Sequence, residues 1–294
     1  MQIDNFCLII GTQKGGTSSL FSYLAQHPQI SPSKMKETNF FSEEKQWEKG
    51  LAYYESLWNW NSDQFSVALE ASPNYTNSLL EATTVAQRTY AVSQAEKAQF
   101  KFIYILRDPV KKIASMRKQG VYQGWYMPLL AKETLDTLPT EVIECVRYAE
   151  VADQFVAKFS PENVLLLQTN ELSQKGNPKA VMNKVCSFLA IDADFVFSLD
   201  KIYNAQNSYR NDTLWHLLRS SPYLTPLKSL MPNTLKNRAR SVLAKPPKTS
   251  TKVVPPLTKA QQTFILNALR EDRAKLETTY GLDLSSWQHT ATEA

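Results

Sequence analysis

The chain has 294 residues, of which 43% are hydrophobic, so it is long and apolar enough to bury a sizeable core. This composition excludes a disordered chain, and no apolar run reaches the roughly 18 residues that a membrane-spanning helix needs. No basic residue precedes the short apolar run near the N-terminus, so this segment does not resemble a secretory signal. We therefore expect a cytoplasmic protein.

Positive charge is concentrated in one part of the chain. The formal net charge is +5, from 33 basic and 28 acidic residues. Ten of the basic residues and none of the acidic ones lie between Thr213 and Arg270, so the rest of the chain is net negative. A local excess of this kind predicts an anionic partner for that segment.

The three cysteines, Cys7, Cys145 and Cys186, are far apart in the sequence and odd in number. Their spacing matches neither a metal site nor a disulfide framework. We therefore expect buried free thiols in a reducing compartment, and we predict no bound metal.

Short apolar runs alternate with amphipathic segments along the first two thirds of the chain. The apolar runs predict buried strands at residues 6–10, 67–70, 100–106 and 163–168. The amphipathic segments predict helices at residues 17–26, 49–57, 109–119, 140–159 and 171–189. Strands that alternate with helices indicate an α/β fold, with a central parallel sheet flanked by helices.

The last third of the chain contains more proline. It predicts, in order, a polar loop, helical pieces broken by prolines and an extended connector, at residues 201–210, 214–243 and 245–256. A final amphipathic helix is predicted from Thr258, its N-cap, to Tyr280, with Gly281 as the stop.

These elements predict a single domain that spans residues 1–294. Its core is expected at about residues 1–210, because the predicted strands all lie there. A basic, α-helical C-terminal extension is expected at about residues 211–294.

A glycine-rich loop joins the first predicted strand to the first predicted helix. Three of the chain's eight glycines lie within residues 11–16, and Lys14 lies among them. Glycine lets the backbone turn sharply and approach a ligand, and the following helix offers free amides and a partial positive charge to an anion. Hydroxyl groups follow at Thr17, Ser18 and Ser19. The segment therefore predicts a phosphate-binding loop.

The loop departs from the Walker A pattern, in which the lysine follows the last glycine. Here Lys14 precedes Gly15 and Gly16, so its charge meets a different part of a phosphate chain. A tight strand-to-helix turn that binds nothing is the alternative. The combination of strand, glycines, lysine and hydroxyls favours a bound anion.

A second anion site is predicted at the carboxyl end of the strand at residues 100–106. Arg107 follows that strand directly, at the edge of an open α/β sheet where ligands collect. Its guanidinium can bind a phosphate with two hydrogen bonds, and Ser115, in the next predicted helix, can add a hydroxyl. The alternative is that Arg107 pairs with Asp108 or another nearby acid and that Ser115 faces solvent.

Together these segments resemble the family of sulfotransferases that use PAPS, 3′-phosphoadenosine 5′-phosphosulfate. Residues 8–17 resemble the family's 5′-phosphosulfate loop, and Arg107-Asp-Pro with Ser115 resembles its 3′-phosphate motif. Residues 36–41, Lys-Glu-Thr-Asn-Phe-Phe, resemble the K-E-x-x-F-F segment of the heparan sulfate sulfotransferase branch. The terminal segment around Trp287 is similar to bacterial members, so the match covers most of the chain in the right order.

The resemblance implies a P-loop-like fold and an enzyme that moves a sulfuryl group from PAPS to an acceptor hydroxyl or amine, releasing PAP. It implies that the 5′ end of PAPS is held by Lys14, Gly15, Gly16, Thr17, Ser18 and Ser19. It also implies that Arg107 and Ser115 hold the 3′-phosphate, which ATP lacks. Arg210 is the residue that matches the late nucleotide-closing loop of the branch.

Glu37 matches the glutamate that acts as general base in the resembled branch. It would take the acceptor's proton while Lys14 stabilises the leaving phosphate. The competing interpretation is a surface carboxylate paired with Lys34 or Lys36. Cytosolic small-molecule sulfotransferases use a histidine base instead, but His27 lies where a predicted helix ends, so the glutamate branch is favoured.

The sequence does not determine the acceptor. The resembled branch carries a lysine in its E-K-T-P-x-Y segment, where this chain has Ala71, so a cation expected near the sulfuryl group is missing. Three interpretations of residues 228–252 stay open: binding of an anionic glycan or lipid-linked acceptor, peripheral contact with an anionic membrane, or a solvated helix face. No motif predicts nucleic-acid binding beyond the nucleotide donor.

Two other functions stay open. A P-loop kinase that uses ATP and Mg²⁺ predicts a Walker A lysine in register and a Walker B aspartate, for which Asp108 is a false match. A non-catalytic nucleotide- or glycan-binding module predicts binding of PAP without turnover.

Overall fold

A five-stranded parallel sheet forms the centre of the molecule. The structure is a computed structural model that describes residues 1–173, 176–199 and 254–287. The strands are Asn5–Gly11 (β1), Ile30–Pro32 (β2), Val67–Ala71 (β3), Gln99–Leu106 (β4) and Val164–Gln168 (β5). They lie in the order β2-β3-β1-β4-β5, and every neighbouring pair is parallel.

Helices connect and cover these strands. The α-helices of the described residues are Thr17–Leu24 (α1), Glu44–Trp47 (α2), Gly50–Glu55 (α3), Leu79–Glu96 (α4), Pro109–Gln123 (α5), Met127–Leu130 (α6), Thr140–Glu144 (α7), Tyr148–Phe159 (α8), Pro178–Leu189 (α9), Lys259–Ala268 (α10) and Arg270–Thr278 (α11). Short 3₁₀ turns occur at Pro73–Thr76, Pro161–Asn163 and Ser285–Trp287.

The sheet is buried on both faces because its strands are apolar at successive positions. Along β1, Phe6, Leu8 and Ile10 belong to the larger core, which α4, α8, α10 and α11 cover. Cys7 and Ile9 lie on the other face, in a smaller core formed with α1 and α9. The prediction of an α/β fold with a central parallel sheet flanked by helices is confirmed.

All four predicted strands are present, and two further elements have too weak a hydrophobic pattern to be predicted. The short strand β2 pairs with β3 at the edge of the sheet. The long helix α4 buries mainly small residues, including Ala82 and Ala86, so its apolar stripe is faint. The start of α4 does have a sequence signal, because Ser78 and Glu81 have the spacing of a helix cap. In the structure the Ser78 side chain accepts a hydrogen bond from the amide of Glu81.

The prediction of a single helix at residues 140–159 is wrong, because the chain forms two helices there, α7 and α8, with a break between them. At the break, the buried ammonium group of Lys112 donates a hydrogen bond to the carbonyl oxygen of Cys145. Asp272, from α11, accepts the first free amides of α8. Lys112 and Asp272 are distant from the break in the sequence, so the local hydrophobic pattern does not predict these contacts.

The helix predicted at residues 171–189 begins later than expected. It starts at Pro178, where the side chain of Asn177 caps it by accepting the amide of Ala180 at 3.0 Å. Glu171 lies in the preceding turn, and its carboxylate accepts the amide of Gln168 at 2.6 Å.

The last predicted helix also consists of two pieces, α10 and α11, which meet at Leu269. Its predicted N-cap is confirmed, since Thr258 and Gln261 form a reciprocal capping box. Gly281 has a φ of 64° just beyond α11, which agrees with its predicted role as the stop.

Several predictions concern residues outside the described part of the chain. These are the loop at 201–210 with Arg210, the helical pieces at 214–243 and most of the connector at 245–256. The division into a core and a basic extension stays a prediction. The three cysteines are buried and free. Among the described helices, none is both long and apolar enough to cross a membrane.

The contact of Asp272 with α8 predicts a pH-dependent contribution to stability. Its Oδ1 accepts the amides of Ala149 and Glu150 at 2.9 and 3.1 Å, and burial raises the pKa of the carboxyl from 3.8 to about 6. The folded protein therefore binds this proton more tightly than the unfolded chain does. The resulting stabilisation is complete below pH 3.8 and is lost as the pH rises through about 6.

In Asp272→Asn, the amide oxygen still accepts both hydrogen bonds but the titration is gone. Between pH 7 and pH 4, the unfolding free energy of the wild type should rise relative to this variant by roughly 2–3 kcal/mol. Urea unfolding across this pH range measures the difference, with the exposed neighbour Glu271→Gln as control. Equal pH dependence in wild type and Asp272→Asn would contradict the prediction.

Candidate active site

The predicted site residues gather where three neighbouring strands end. β1 ends at Gly11, β4 at Leu106 and β3 at Ala71, all at the carboxyl edge of the sheet. Because the strands are parallel, the segments that follow them lie side by side. This edge is therefore the candidate site.

The glycine-rich loop is held in place by its neighbours along the edge. The amide of Thr12 donates to the carbonyl oxygen of Ile105 at 2.8 Å, and the amide of Gly15 donates to the carbonyl oxygen of Thr12 at 2.9 Å. The hydroxyl of Thr169, just after β5, donates to the carbonyl oxygen of Gly15 at 2.8 Å. The backbone of the loop is thereby fixed between β4 and β5.

The backbone geometry of this loop requires glycine at two positions. A Cβ on Gly15 would lie 2.9 Å from the carbonyl oxygen of Thr12 and 3.0 Å from that of Ile105. Gly16 has a φ of 101°, a left-handed conformation that side chains rarely adopt, and it is the N-cap of α1. The loop therefore enters the helix through a turn that only small residues allow.

The start of α1 faces this loop without a side-chain cap. Gly16 supplies no capping oxygen, so the first amides of the helix receive no side-chain acceptor there. Thr17 and Ser19 are buried at the first turn, and Ser18 is half-buried. Backbone amides and hydroxyls in this arrangement can bind an anion.

Arg107 connects the second predicted anion site to the first. Its Nη1 donates a hydrogen bond of 2.8 Å to the carbonyl oxygen of Lys14. Its own carbonyl oxygen accepts the hydroxyl of Tyr148, at the start of α8, at 2.8 Å. The structure thus brings Lys14 and Arg107 together, as the sequence analysis expected.

The side chains of Lys14 and Arg107 are both partly buried. Burial lowers the pKa of Lys14, and the positive charge of Arg107 lowers it further. Burial also lowers the pKa of Arg107, while Tyr148 and Asp108 act in the opposite direction. Within the described residues, no carboxylate forms an ion pair with Arg107. An anion bound between these cations would stabilise both charged forms.

The two neighbours of Arg107 in the predicted motif have different roles. Asp108 is the N-cap of α5, since its Oδ1 accepts the amides of Val110 and Lys111 at 3.0 and 3.2 Å. Ser115 is buried rather than solvent-facing, and its Oγ has no hydrogen-bond partner among the described residues. A buried hydroxyl without a partner is costly, so it suits a position that a ligand completes.

Glu37 lies at the same edge on the other side of β1. The carbonyl oxygen of Lys36 accepts the amide of Ala71 at 3.0 Å, which places the segment beside the end of β3. The side chain of Glu37 is about half exposed and accepts a hydrogen bond from Lys36 Nζ at 2.7 Å. The pairing that the sequence offered as the competing interpretation is therefore observed, at a position beside the carboxyl end of β3.

A side-chain link joins the segment of Glu37 to the glycine-rich loop. Gln13 Nε2 donates to Asn74 Oδ1, and Asn74 Nδ2 lies 3.5 Å from Asn39 Oδ1. His27, by contrast, is buried elsewhere, with its ring bonded to the amide of Gln29 and the carbonyl oxygen of Asp192. Its contacts do not include the loop.

Several supporting residues were missed by sequence reasoning. Thr169 had a usable signal, because it follows a predicted strand at the same edge as Gly11 and Arg107. Tyr148 had none, since it lay inside a helix predicted to be continuous. Glu70, at the end of β3, is fully buried and bonded to four hydroxyl groups, of which Ser72 and Tyr75 lie in the same segment that resembles E-K-T-P-x-Y.

Within residues 1–173, 176–199 and 254–287, no cluster of three or more potential ligands for a metal ion occurs. The absence of a metal from the site stays a prediction. Arg210 lies outside these ranges.

Comparisons with known proteins identify the family of the chain. The family model described as "Sulfotransferase domain" matches residues 4–213. The human heparan sulfate glucosamine 3-O-sulfotransferase 6 is 26% identical over 205 residues, which are 66% of this chain and 56% of that protein. The mouse heparan sulfate glucosamine 3-O-sulfotransferase 3A1 is 31% identical over 207 residues, 66% of this chain and 49% of that protein.

A third relative is the mouse bifunctional heparan sulfate N-deacetylase/N-sulfotransferase 4, 27% identical over 220 residues, which are 69% of this chain and 24% of that protein. The chain thus spans about a quarter to about half of the length of these relatives. A sulfotransferase crystal structure from Alicyclobacillus acidocaldarius has a TM-score of 0.59 and 22% identity, covering 97% of this chain and 98% of that one, and so shows the fold. Since the family model covers most of its length, this chain belongs to the sulfotransferase domain family.

Proposed function

We propose that the chain transfers a sulfuryl group from PAPS to a hydroxyl or amine of an acceptor and releases PAP. The observation that carries this proposal is the contact between Arg107 and the backbone of Lys14, which brings the two predicted anion sites next to each other. PAPS is an adenosine with a phosphate at its 3′ position and a phosphosulfate at its 5′ position. A donor with anionic groups at two positions fits two adjoining cationic elements.

The 5′ end of PAPS would be held by Lys14, Gly15, Gly16, Thr17, Ser18 and Ser19. The supporting features are the uncapped start of α1 and the buried hydroxyls of its first turn. Arg107 and Ser115 would hold the 3′-phosphate. The buried Ser115 hydroxyl supports this assignment because it lacks a partner among the described residues.

In the proposed reaction, the bond from sulfur to the 5′-phosphate oxygen breaks as the acceptor oxygen or nitrogen bonds to sulfur. Such a transfer depends on alignment and charge stabilisation rather than on covalent chemistry by the protein. Lys14 would stabilise the negative charge left on the phosphate. Glu37 would accept the acceptor's proton, for which its contact with Lys36 must open.

A P-loop kinase is the less favoured alternative. Its Walker A lysine would have to follow the last glycine, whereas Lys14 precedes Gly15 and Gly16. Asp108, the false match for a metal ligand, uses Oδ1 to cap α5. Membership of the sulfotransferase domain family also supports a sulfuryl donor rather than ATP.

The acceptor class is proposed from the relatives. Those named above act on heparan sulfate, so an anionic glycan is the first acceptor to test. Ala71 stands where the resembled branch has a lysine, and the acceptor therefore need not be heparan sulfate. A cytoplasmic location and contact of residues 228–252 with an acceptor or a membrane remain predictions from the sequence.

The donor assignment predicts that PAP binds more tightly than ADP, because only PAP has a 3′-phosphate. Ser115→Ala should weaken PAP binding about 10-fold, the effect of losing a hydrogen bond to a charged group, and leave ADP binding unchanged. Titration calorimetry of both nucleotides measures this, with Ser187→Ala, an exposed helical serine, as the matched control. Equal affinity of the wild type for PAP and ADP would remove PAPS as the donor.

The base assignment predicts that Glu37→Gln retains PAP binding but loses turnover by roughly 10²–10⁴-fold, the usual contribution of a general base. Transfer from radiolabelled PAPS to desulfated heparan sulfate oligosaccharides measures the rate. Glu48→Gln, an exposed glutamate nearby, is the control and should behave as wild type. Near-normal turnover of Glu37→Gln would exclude Glu37 as the base, and a wild type that binds PAP without transfer to any acceptor would indicate a binding module.

A further inference from the structure

Glu70 is a carboxylate in an unusual environment. It is fully buried at the end of β3, and no basic side chain among the described residues forms an ion pair with it. Four hydroxyl groups donate to it instead. Oε2 accepts Thr38 at 2.5 Å and Ser72 at 2.7 Å, and Oε1 accepts Tyr54 at 2.9 Å and Tyr75 at 3.0 Å. Burial raises the pKa of Glu70, and these hydroxyls oppose the rise.

Three of these hydroxyls also accept backbone amides from one short segment. The amide of residue 39 donates to the Ser72 hydroxyl at 3.1 Å, that of residue 40 to the Thr38 hydroxyl at 3.3 Å, and that of residue 41 to the Tyr75 hydroxyl at 3.3 Å. Three consecutive amides are therefore connected to the same carboxylate, each through one hydroxyl. The hydroxyl of Tyr54 contacts Glu70 as well, but it accepts no amide of this segment.

The number of protons limits the directions of these hydrogen bonds. A hydroxyl has one proton, so a hydroxyl oxygen that accepts an amide donates to one other partner. For Ser72 that partner is Glu70. The Thr38 and Tyr75 hydroxyls contact Glu70 and also lie 3.2 Å from each other, so at least one of the two donates to Glu70. An ionised carboxylate can accept all of these donors.

The segment that Glu70 holds directly follows Glu37. It contains Asn39, whose φ of 49° is left-handed, and Asn39 contacts Asn74 in the link to the glycine-rich loop. The next two side chains, Phe40 and Phe41, are fully buried. The turn therefore has a fixed backbone on one side of Glu37, and its left-handed position is occupied by asparagine, which tolerates that conformation better than most residues.

We propose that Glu70 is the positioning residue of the candidate base: it fixes the backbone at residues 39–41 through Ser72, Thr38 and Tyr75 and so orients Glu37 toward the acceptor. This proposal rests on the proposed function for its kinetic consequence. Glu70 is fully buried, so it would act on the reaction only through the segment that it holds.

Glu70→Gln is the first test. The NH₂ of the glutamine faces either Thr38 and Ser72 or Tyr54 and Tyr75, so one or two of the three connections to the segment must change. Hydrogen exchange at the amides of residues 39–41, measured by NMR on the full chain, should accelerate by about 10–100-fold, as expected for the loss of a hydrogen bond to a charged group. This measurement requires no acceptor and no turnover.

Ser72→Ala and Tyr54→Phe form a matched pair in case Glu70→Gln does not fold. Each removes one hydroxyl that donates to Glu70, but only Ser72 also accepts an amide of the segment. Ser72→Ala should accelerate exchange at residue 39, and Tyr54→Phe should leave all three amides protected. If both variants change exchange equally, or if neither does, the proposal is overturned.

The kinetic test separates this proposal from the base assignment. Ser72→Ala and Glu70→Gln should lower the turnover number by up to about 10²-fold, the cost of misplacing a catalytic group by roughly 1 Å, with unchanged PAP affinity. Addition of either change to Glu37→Gln should cost little more, because the positioned group is already absent. Weaker PAP binding in place of lower turnover would overturn the positioning role. Accelerated exchange together with a fully active Glu37→Gln would instead remove Glu37 as base and leave the segment's attachment to Glu70 intact.

Discussion

The hydrogen bond from Arg107 to the carbonyl oxygen of Lys14 joins the two segments on which the candidate site depends. Arg107 follows β4 and Lys14 follows β1, and these strands are neighbours in the sheet. The bond fixes the backbone of the loop while it keeps two partly buried cations close together. The charge of Arg107 lowers the pKa of Lys14, and an anion placed between the two side chains would offset that repulsion.

The buried groups on the two sides of β1 differ in how their charges are met. Lys14 and Arg107 lie toward β4, whereas the buried carboxylate of Glu70 lies on β3 and is bonded to four hydroxyls. Hydroxyl donors suit this position because they satisfy the carboxylate without burying a second charge beside it.

The parts of this arrangement that follow from local pattern could be predicted from the sequence. The apolar runs of β1 and β4, the glycines after β1 and the arginine after β4 together indicate a parallel sheet with anion sites at one edge. Tyr148 and Asp272 could not be predicted, because each acts through partners far away in the chain. The break between α7 and α8 was missed for the same reason. The cluster around Glu70 could be predicted only in part, because Ser72 and Tyr75 are close to it in the sequence but Thr38 and Tyr54 are not.

The far end of the chain takes part in this edge of the sheet. Asp272 caps α8, whose first residue, Tyr148, holds the carbonyl oxygen of Arg107, and Trp287 packs against the Tyr148 ring at 5.9 Å. Asp272 and Trp287 lie beyond residue 213, where the match to the family model ends. A chain that ended at residue 213 would keep the glycine-rich loop and Arg107 but lose both contacts with the start of α8, so we expect the backbone at Arg107 to be held less firmly in it.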